Sequence, residues 1–141
     1  MPSLSQLFPS LSLRSDVPSR ARAGTVALWI VQALAAAMFF YAGFLKLTGA
    51  PAMMDLFTAI GFGQWFRYLT GGLEILAAVL LVIPRTAVFG ALLMVPTMIG
   101  ALITHAVLGG SAVSAFMLLV ATSAIVWYRR GELTRALSRL R

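Results

Sequence analysis

The feature that most limits how this chain can fold is an apolar segment over residues 67–83 that contains one carboxylate, Glu74. The carboxylate lies half-way between the aromatic start of the segment at Trp65 and its end at Pro84. An acidic side chain at that depth in a bilayer costs about 2.5–3.5 kcal/mol on insertion scales, so it rarely faces lipid. Glu74 is therefore predicted to face other helices, where a partner can compensate its charge.

The composition of the whole chain favours a membrane protein. Of its 141 residues, 60% are apolar and 11% are charged, whereas about a quarter of the residues of a soluble domain are charged. The formal net charge is +7, but the basic residues lie at the ends of apolar segments rather than along one face. This placement is typical of a membrane protein oriented by its charges and argues against nucleic acid as a partner. The length indicates one domain.

Four apolar segments are predicted as transmembrane helices, since roughly 20 helical residues cross a 30 Å hydrocarbon core. They cover residues 25–47, 66–83, 86–108 and 112–128. A shorter apolar helix is predicted around Asp55, between the first two spans; it is too short to cross and is expected to lie in the membrane interface. The predicted fold is all-α, a polytopic membrane protein with a bundle of four transmembrane helices and a short interfacial helix between helices 1 and 2.

The two ends of the chain are basic. Residues 1–24 are predicted to form a disordered cytoplasmic arm, and residues 131–141 a tail that rests on the anionic cytoplasmic leaflet. A signal peptide is the alternative interpretation of the first apolar segment, but the apolar run continues well past the alanines of residues 33–37. Nine of the 11 basic residues fall on one side of the predicted bundle, and only Lys46 and Arg67 lie near the other. The positive-inside rule then places both termini in the cytoplasm.

Three basic or titratable side chains are expected near Glu74 at the outer end of the bundle. Lys46 ends the first span, Arg67 begins the second, and His105 lies near the end of the third. We predict an outward-opening polar cavity lined by Lys46, Glu74 and His105, with Arg67 at its rim. A buried carboxyl beside a histidine is typical of proton paths and of sites for quinone headgroups.

Structural interpretations of the same side chains stay open. Lys46 and Arg67 can extend to the lipid headgroups, as basic residues at helix ends usually do. His105 also fits a hydrogen-bonded structural histidine, and Glu74 a structural ion pair or a protonated carboxyl. With one histidine and no cysteine, the chain lacks the ligands of a haem or of an ordinary zinc site, so no metal is predicted. No phosphate-binding loop or nucleophile triad is recognisable, and the sequence identifies no catalytic residue.

Three motifs follow one another through the first three predicted spans. They are Gly43-Phe-Leu-Lys46-Leu, then Gly61-x-Gly63-x-Trp-Phe-Arg67-Tyr-Leu-Thr-Gly71-Gly-Leu-Glu74, and Met98-Ile-Gly100-Ala101-Leu-Ile-Thr104-His105. Together they resemble the DoxX-like family of small four-helix bacterial membrane proteins, over about residues 28–130. The Lys, Glu and His that match the family motifs are Lys46, Glu74 and His105.

The resemblance implies a multi-pass protein of the bacterial inner membrane. The family takes its name from a subunit associated with a membrane thiosulfate:quinone oxidoreductase, and some relatives are described as parts of redox complexes. We therefore expect an accessory subunit partnered with a redox enzyme, with a cavity accessible to quinone or lipid and no covalently bound cofactor. Because the sequence supplies no electron carrier, the chain is not expected to be an enzyme by itself. A small oligomeric transporter or proton-coupled permeation unit, and a structural membrane adaptor, stay open as alternatives.

Overall fold

A computed structural model describes residues 19–139, and no strand occurs in that range. Five helices follow one another in the order α1 (Ser19–Thr48), α2 (Pro51–Ile60), α3 (Gln64–Val82), α4 (Ala87–Leu108) and α5 (Val113–Ser138). The predicted all-α class is confirmed, and the predicted short helix between the first two spans is α2.

Three helices are long and apolar enough to cross a membrane. They are Arg22–Thr48 within α1, Gln64–Val82 and Ala87–Leu108. The predicted fourth span, residues 112–128, coincides with the first part of α5, which is long enough at 26 residues but less apolar than the other three helices. From Val113 to Tyr128 it offers only about 24 Å of apolar helix before two arginines, against a hydrocarbon core of about 30 Å. The structure therefore supports a membrane-spanning helical protein with three candidate spans by length and composition.

The helices extend further toward both ends of the chain than predicted. α1 begins at Ser19, inside the predicted arm of residues 1–24, and α5 continues to Ser138, inside the predicted tail of residues 131–141. Residues 20–23 alternate arginine and alanine, both strong helix formers, which explains the early start of α1. The rest of the predicted arm lies outside the described residues, as do the last two residues of the tail.

The chain divides into two compact units at Ile30–Val31, within α1. The described part of the first unit is the beginning of α1. The second unit contains the rest of α1 and the other four helices, in which α3 packs on α4 and α4 on α5. Lys46, Arg67, Glu74 and His105 all belong to the second unit.

Glycines allow two close helix contacts in the second unit. A Cβ at Gly43 of α1 would lie 2.8 Å from the carbonyl oxygen of Gly71 in α3, and a Cβ at Gly90 of α4 would lie 2.9 Å from that of Ala77. Neither distance leaves room for a side chain, so these glycines fix how closely α1 and α4 approach α3. Gly100 of α4 differs, because a Cβ there would meet no described atom within 4 Å outside the backbone of its own helix.

The contacts of Arg129 identify one end of the second unit, and the helix ends identify the other. Arg129 of α5 donates to the carbonyl oxygen of Pro84, over 3.1 Å, and forms a 2.9 Å ion pair with Glu132. Residue 129 therefore lies beside the turn between α3 and α4, which we call the turn end. At the opposite end α1 and α4 finish and α3 and α5 begin; we call this the cavity end.

α2 lies at the cavity end and packs on α3 and α4. Pro51 begins the helix, where its fixed φ suits the first turn and its missing N–H costs nothing. Gly61 ends it in the left-handed conformation, with φ of 84°, and its N–H bonds the carbonyls of Phe57 and Thr58. These two residues set the length of α2 and return the chain to the start of α3.

Candidate functional site

An ion pair between α1 and α3 forms the centre of the candidate site. The Lys46 ammonium lies 2.8 Å from Oε2 and 2.9 Å from Oε1 of Glu74. The Lys46 side chain is 13% exposed and that of Glu74 4%. The cation next to the buried carboxylate is therefore Lys46, and both carboxylate oxygens contact the same ammonium group.

The path of the Lys46 side chain depends on Gly71. The Cβ of Lys46 lies 3.0 Å from the position that a Cβ of Gly71 would occupy. From there the lysine stem follows α3 for one turn and ends at Glu74, three residues beyond Gly71 in the sequence. The glycine thus provides the space through which the ammonium reaches the carboxylate.

A cavity of about 760 Å³ opens beside this ion pair at the cavity end. Residues of all five helices line it, and most of them are apolar. Its polar lining residues are Lys46, Thr70, Glu74, Thr97, Thr104, His105 and Ser114. The volume falls within the range of about 300–1,000 Å³ that is usual for small-molecule sites.

His105 lines the cavity from α4 and is partly exposed. Its ring makes no hydrogen bond to any described residue, and it lies close to the backbone of Gly110, where a Cβ would be 3.3 Å from Nδ1. Lys46, Glu74 and His105 therefore line one cavity, but the imidazole does not bond directly to the ion pair. A small molecule or water between them would be needed to connect the two.

Arg67 has a different position from the predicted one at the rim of the cavity. It is 3% exposed and does not line the cavity. Its Nη1 donates to the backbone carbonyl of Lys46, its Nε donates to Gln64 over 2.7 Å, and its guanidinium stacks on Tyr68. The last carbonyls of a helix lack partners within the helix, so Arg67 satisfies one at the end of α1 instead of extending toward Glu74 or the headgroups.

Gln64 is a residue of the site that the sequence analysis missed. While its Oε1 accepts from Arg67, its Nε2 donates to the carbonyl of Met54 over 3.2 Å and to the hydroxyl of Thr58 over 3.1 Å. Gln64 thus joins Arg67 to α2. The sequence feature that could have indicated this role is the position of Gln64 three residues before Arg67, on the same face of a helix.

α2 forms one wall of the cavity through an apolar face. The face consists of Met53, Leu56, Phe57 and Ile60, which recur at helical spacing. Gln64 fixes this wall to the start of α3 through its hydrogen bonds to α2. Arg67, which bonds to Gln64 and to the last turn of α1, therefore helps to hold the wall in place.

The cavity opens onto the apolar surface of the protein. Three of its lining side chains are largely exposed, Phe62 at 65%, Ile103 at 59% and Leu69 at 47%. Leu69 and Ile103 lie on candidate transmembrane helices and Phe62 in the connection between α2 and α3. Exposed apolar side chains on such helices face lipid, because hydrocarbon solvates them as well as the protein interior does. A molecule dissolved in the bilayer could therefore enter without crossing water.

The chemistry of the lining suits binding. Among residues 19–139, no group of three or more His, Asp or Glu side chains is placed to hold a metal ion. The lining offers one ammonium, one carboxylate, one imidazole and four hydroxyl groups in an otherwise apolar space. These groups can orient a ligand by hydrogen bonds and exchange protons with it.

The helices and the cavity define the class of protein, which is a small helical membrane protein with a partly polar cavity open to its apolar surface. Residues 30–128 match the DoxX-like family, and the chain belongs to that family. The match confirms the resemblance seen in the three motifs, and its range contains Lys46, Glu74 and His105. No curated protein and no solved structure matches the chain.

Proposed function

We propose that this DoxX-like protein is an accessory subunit of a membrane redox complex that holds a quinone or a lipid in its cavity. The observation that carries the proposal is the buried Lys46–Glu74 ion pair in the wall of a cavity open to the apolar surface. A buried ion pair is seldom the most stable way to fill a helix contact, since well-packed apolar side chains often do as well or better. Its presence beside a ligand-sized cavity favours a role in binding.

The association with a redox enzyme follows from the family and from what the chain lacks. The chain has no cysteine and one histidine, too few ligands for an iron–sulfur cluster or a bis-histidine haem. Electron transfer would then belong to a partner subunit, while this chain supplies a site for the lipid-soluble molecule. The chain itself need not catalyse a reaction.

The proposed location is the bacterial inner membrane, with four spans and both termini in the cytoplasm. In this arrangement α5 is the fourth span, and its Trp127–Tyr128 pair marks the interface at the turn end. Arg130 stacks on Trp127, with 4.2 Å between the guanidinium carbon and the ring centroid. Arg85, Arg129 and Arg130 then share the cytoplasmic side, as the positive-inside rule favours.

The test is mass spectrometry of the small molecules that co-purify with the full chain in mild detergent. Three proteins are compared: the wild type, Glu74→Gln, and Asp55→Asn as a control that removes an exposed carboxylate outside the cavity. A defined quinone or lipid, enriched with the wild type and the control and lost from Glu74→Gln, supports the proposal. Bulk phospholipid alone in all three samples contradicts it.

A cellular measurement tests the redox part of the proposal separately. Cells that carry Glu74→Gln in place of the wild type are expected to lose tolerance to redox stress while the protein still inserts into the membrane. Unchanged insertion and unchanged tolerance would contradict a redox role.

A small oligomeric transporter or proton-coupled permeation unit is the second candidate. The observation that favours it is the imidazole of His105, which bonds to no described residue and lines the same cavity as an ion pair, since such groups occur along proton paths. Flux into liposomes that contain the purified protein, lost on Glu74→Gln, would favour this function over an accessory role.

A further inference from the structure

We infer that the cavity selects an uncharged amphiphile, an apolar chain with a hydroxyl or carbonyl head, and rejects heads that carry a net charge. This inference rests on the proposed function, because it specifies the ligand of the same cavity. It separates neutral lipids and quinones, which share this chemistry, from fatty acids, amines and phospholipids.

The first observation is the charge balance of the lining. Of the residues described as lining the cavity, only Lys46 and Glu74 carry a formal charge, with His105 counted as neutral. The two charges contact each other through both carboxylate oxygens, at 2.8 and 2.9 Å. The cavity is therefore neutral as a whole, and its charged groups already have their partner.

With His105 neutral, a ligand with a charged head would find no free counter-ion in this space. It could gain one only by separating Lys46 from Glu74, which leaves the other charge buried without a partner. An uncharged head needs only hydrogen bonds and leaves the pair intact. Charge alone thus discriminates between head groups of similar size.

The second observation is the set of hydrogen-bonding groups that remain free. The hydroxyls of Thr70, Thr97 and Thr104 already donate to carbonyls one turn earlier, over 3.0–3.2 Å, so they can only accept from a ligand. The side chains of His105 and Ser114 make no hydrogen bond to any described residue and can both donate and accept. These groups match a hydroxyl or a carbonyl head.

The third observation is that the rest of the cavity is apolar and opens onto the apolar surface of the protein. The α2 face and the exposed side chains Phe62, Leu69 and Ile103 can surround an alkyl chain. A phospholipid that kept its charged head in the interface could place only a chain there. An uncharged amphiphile can bring its head to His105 and Ser114.

The test uses three dodecyl probes that carry a photoreactive diazirine and differ only in the head, an alcohol, a carboxylate or an amine. The full chain in phosphatidylcholine nanodiscs is labelled with each, and labelled peptides are quantified by mass spectrometry. For the wild type we expect the alcohol to label cavity residues at least about tenfold more than either charged probe, the ratio that 1.4 kcal/mol of differential affinity produces.

Variants of the ion pair should then change the preference in a direction set by charge. Glu74→Gln leaves the lining with one positive charge and should favour the carboxylate, whereas Lys46→Met leaves one negative charge and should favour the amine. The double variant Lys46→Met/Glu74→Gln is again neutral and should favour the alcohol. The double variant has no unpaired buried charge, so it still tests the preference for the alcohol if a single variant fails to fold. Asp55→Asn should behave as the wild type does.

The outcomes distinguish this inference from the proposed function. Equal cavity labelling by the three heads in the wild type, or a preference that the variants leave unchanged, overturns the inference and leaves a binding cavity. No labelling of cavity residues by any probe overturns both. Competition by a diacylglycerol or by a short-chain benzoquinone then shows which source of uncharged amphiphile the cavity prefers.

Discussion

The side chain of Lys46 packs over Gly71, and the Cβ of Lys46 lies 3.0 Å from the position that a Cβ on the glycine would occupy. The carbonyl oxygen of Gly43 and the side chain of Leu47 lie 3.2 Å from the same position. A side chain at Gly71 would therefore pack more tightly than an ordinary van der Waals contact, so its neighbours in α1 would have to move by a few tenths of an ångström. The ion pair of Lys46 with Glu74 depends on that contact.

Gly71→Ala is expected to destabilise the protein by roughly 1–3 kcal/mol, the usual cost of overpacking a tight contact. The gain in helix propensity from glycine to alanine, about 0.5–1 kcal/mol, offsets part of that cost. Gly72→Ala is the matched control, because a Cβ there would meet no described atom within 4 Å outside the backbone of its own helix. Thermal unfolding in detergent should show a lower midpoint for Gly71→Ala than for Gly72→Ala; equal midpoints would contradict the tight contact.

Removal of one member of the ion pair should destabilise the protein far more than removal of both. Lys46→Met leaves the Glu74 carboxylate buried without its partner, and the loss of one member of a buried pair costs roughly 3–5 kcal/mol. In Lys46→Met/Glu74→Gln no charge remains, and the stability should return to within about 1 kcal/mol of the wild type or exceed it. Denaturant unfolding in detergent measures both. A double variant as unstable as Lys46→Met would show that the pair itself is required for folding.

Arg67 is expected to hold α2 in place through Gln64. Arg67→Lys keeps the charge but cannot reproduce two directed hydrogen bonds from one planar guanidinium. Hydrogen exchange of the α2 amides, residues 51–60, should become about tenfold faster, which corresponds to about 1.4 kcal/mol of lost local stability. Arg85→Lys, an exposed arginine at the turn end, serves as the control. Unchanged exchange in α2 would mean that its apolar face alone fixes it to the protein.

The ion pair and Arg67 show what the sequence could and could not predict. The cost of a buried carboxylate required a partner for Glu74, and few ionisable groups were available within the apolar segments. The choice of Lys46 over His105 depends on space along α3, which is a property of packing. The position of Arg67 depends on a backbone carbonyl at the end of α1, and acceptors of that kind carry no signal in the residue pattern.

The number of spans could be predicted only in part, for a related reason. Three helices are long and apolar enough to be predicted as membrane spans from hydropathy alone. α5 instead joins a short apolar part to a basic part. Hydropathy cannot decide such a case, because a short span can be accommodated by thinning of the bilayer or by basic side chains that extend to the headgroups. The contacts of Gln64 with α2 and the position of Ser114 in the cavity were not predicted, because polar residues are common at helix starts and carry no specific signal.

The location of α5 can be tested by labelling single cysteines, since the chain has no native cysteine to interfere. Cysteines are placed at Ser111 between α4 and α5, at Arg85 in the turn between α3 and α4, and at Ser138 near the end of α5. If α5 crosses the membrane, a membrane-impermeant maleimide should label Ser111→Cys in intact cells, and Arg85→Cys and Ser138→Cys only after the cells are opened. If α5 lies on the surface, Ser138→Cys should be labelled together with Ser111→Cys. That result would leave three spans and would place the basic end of α5 on the opposite side from Arg85.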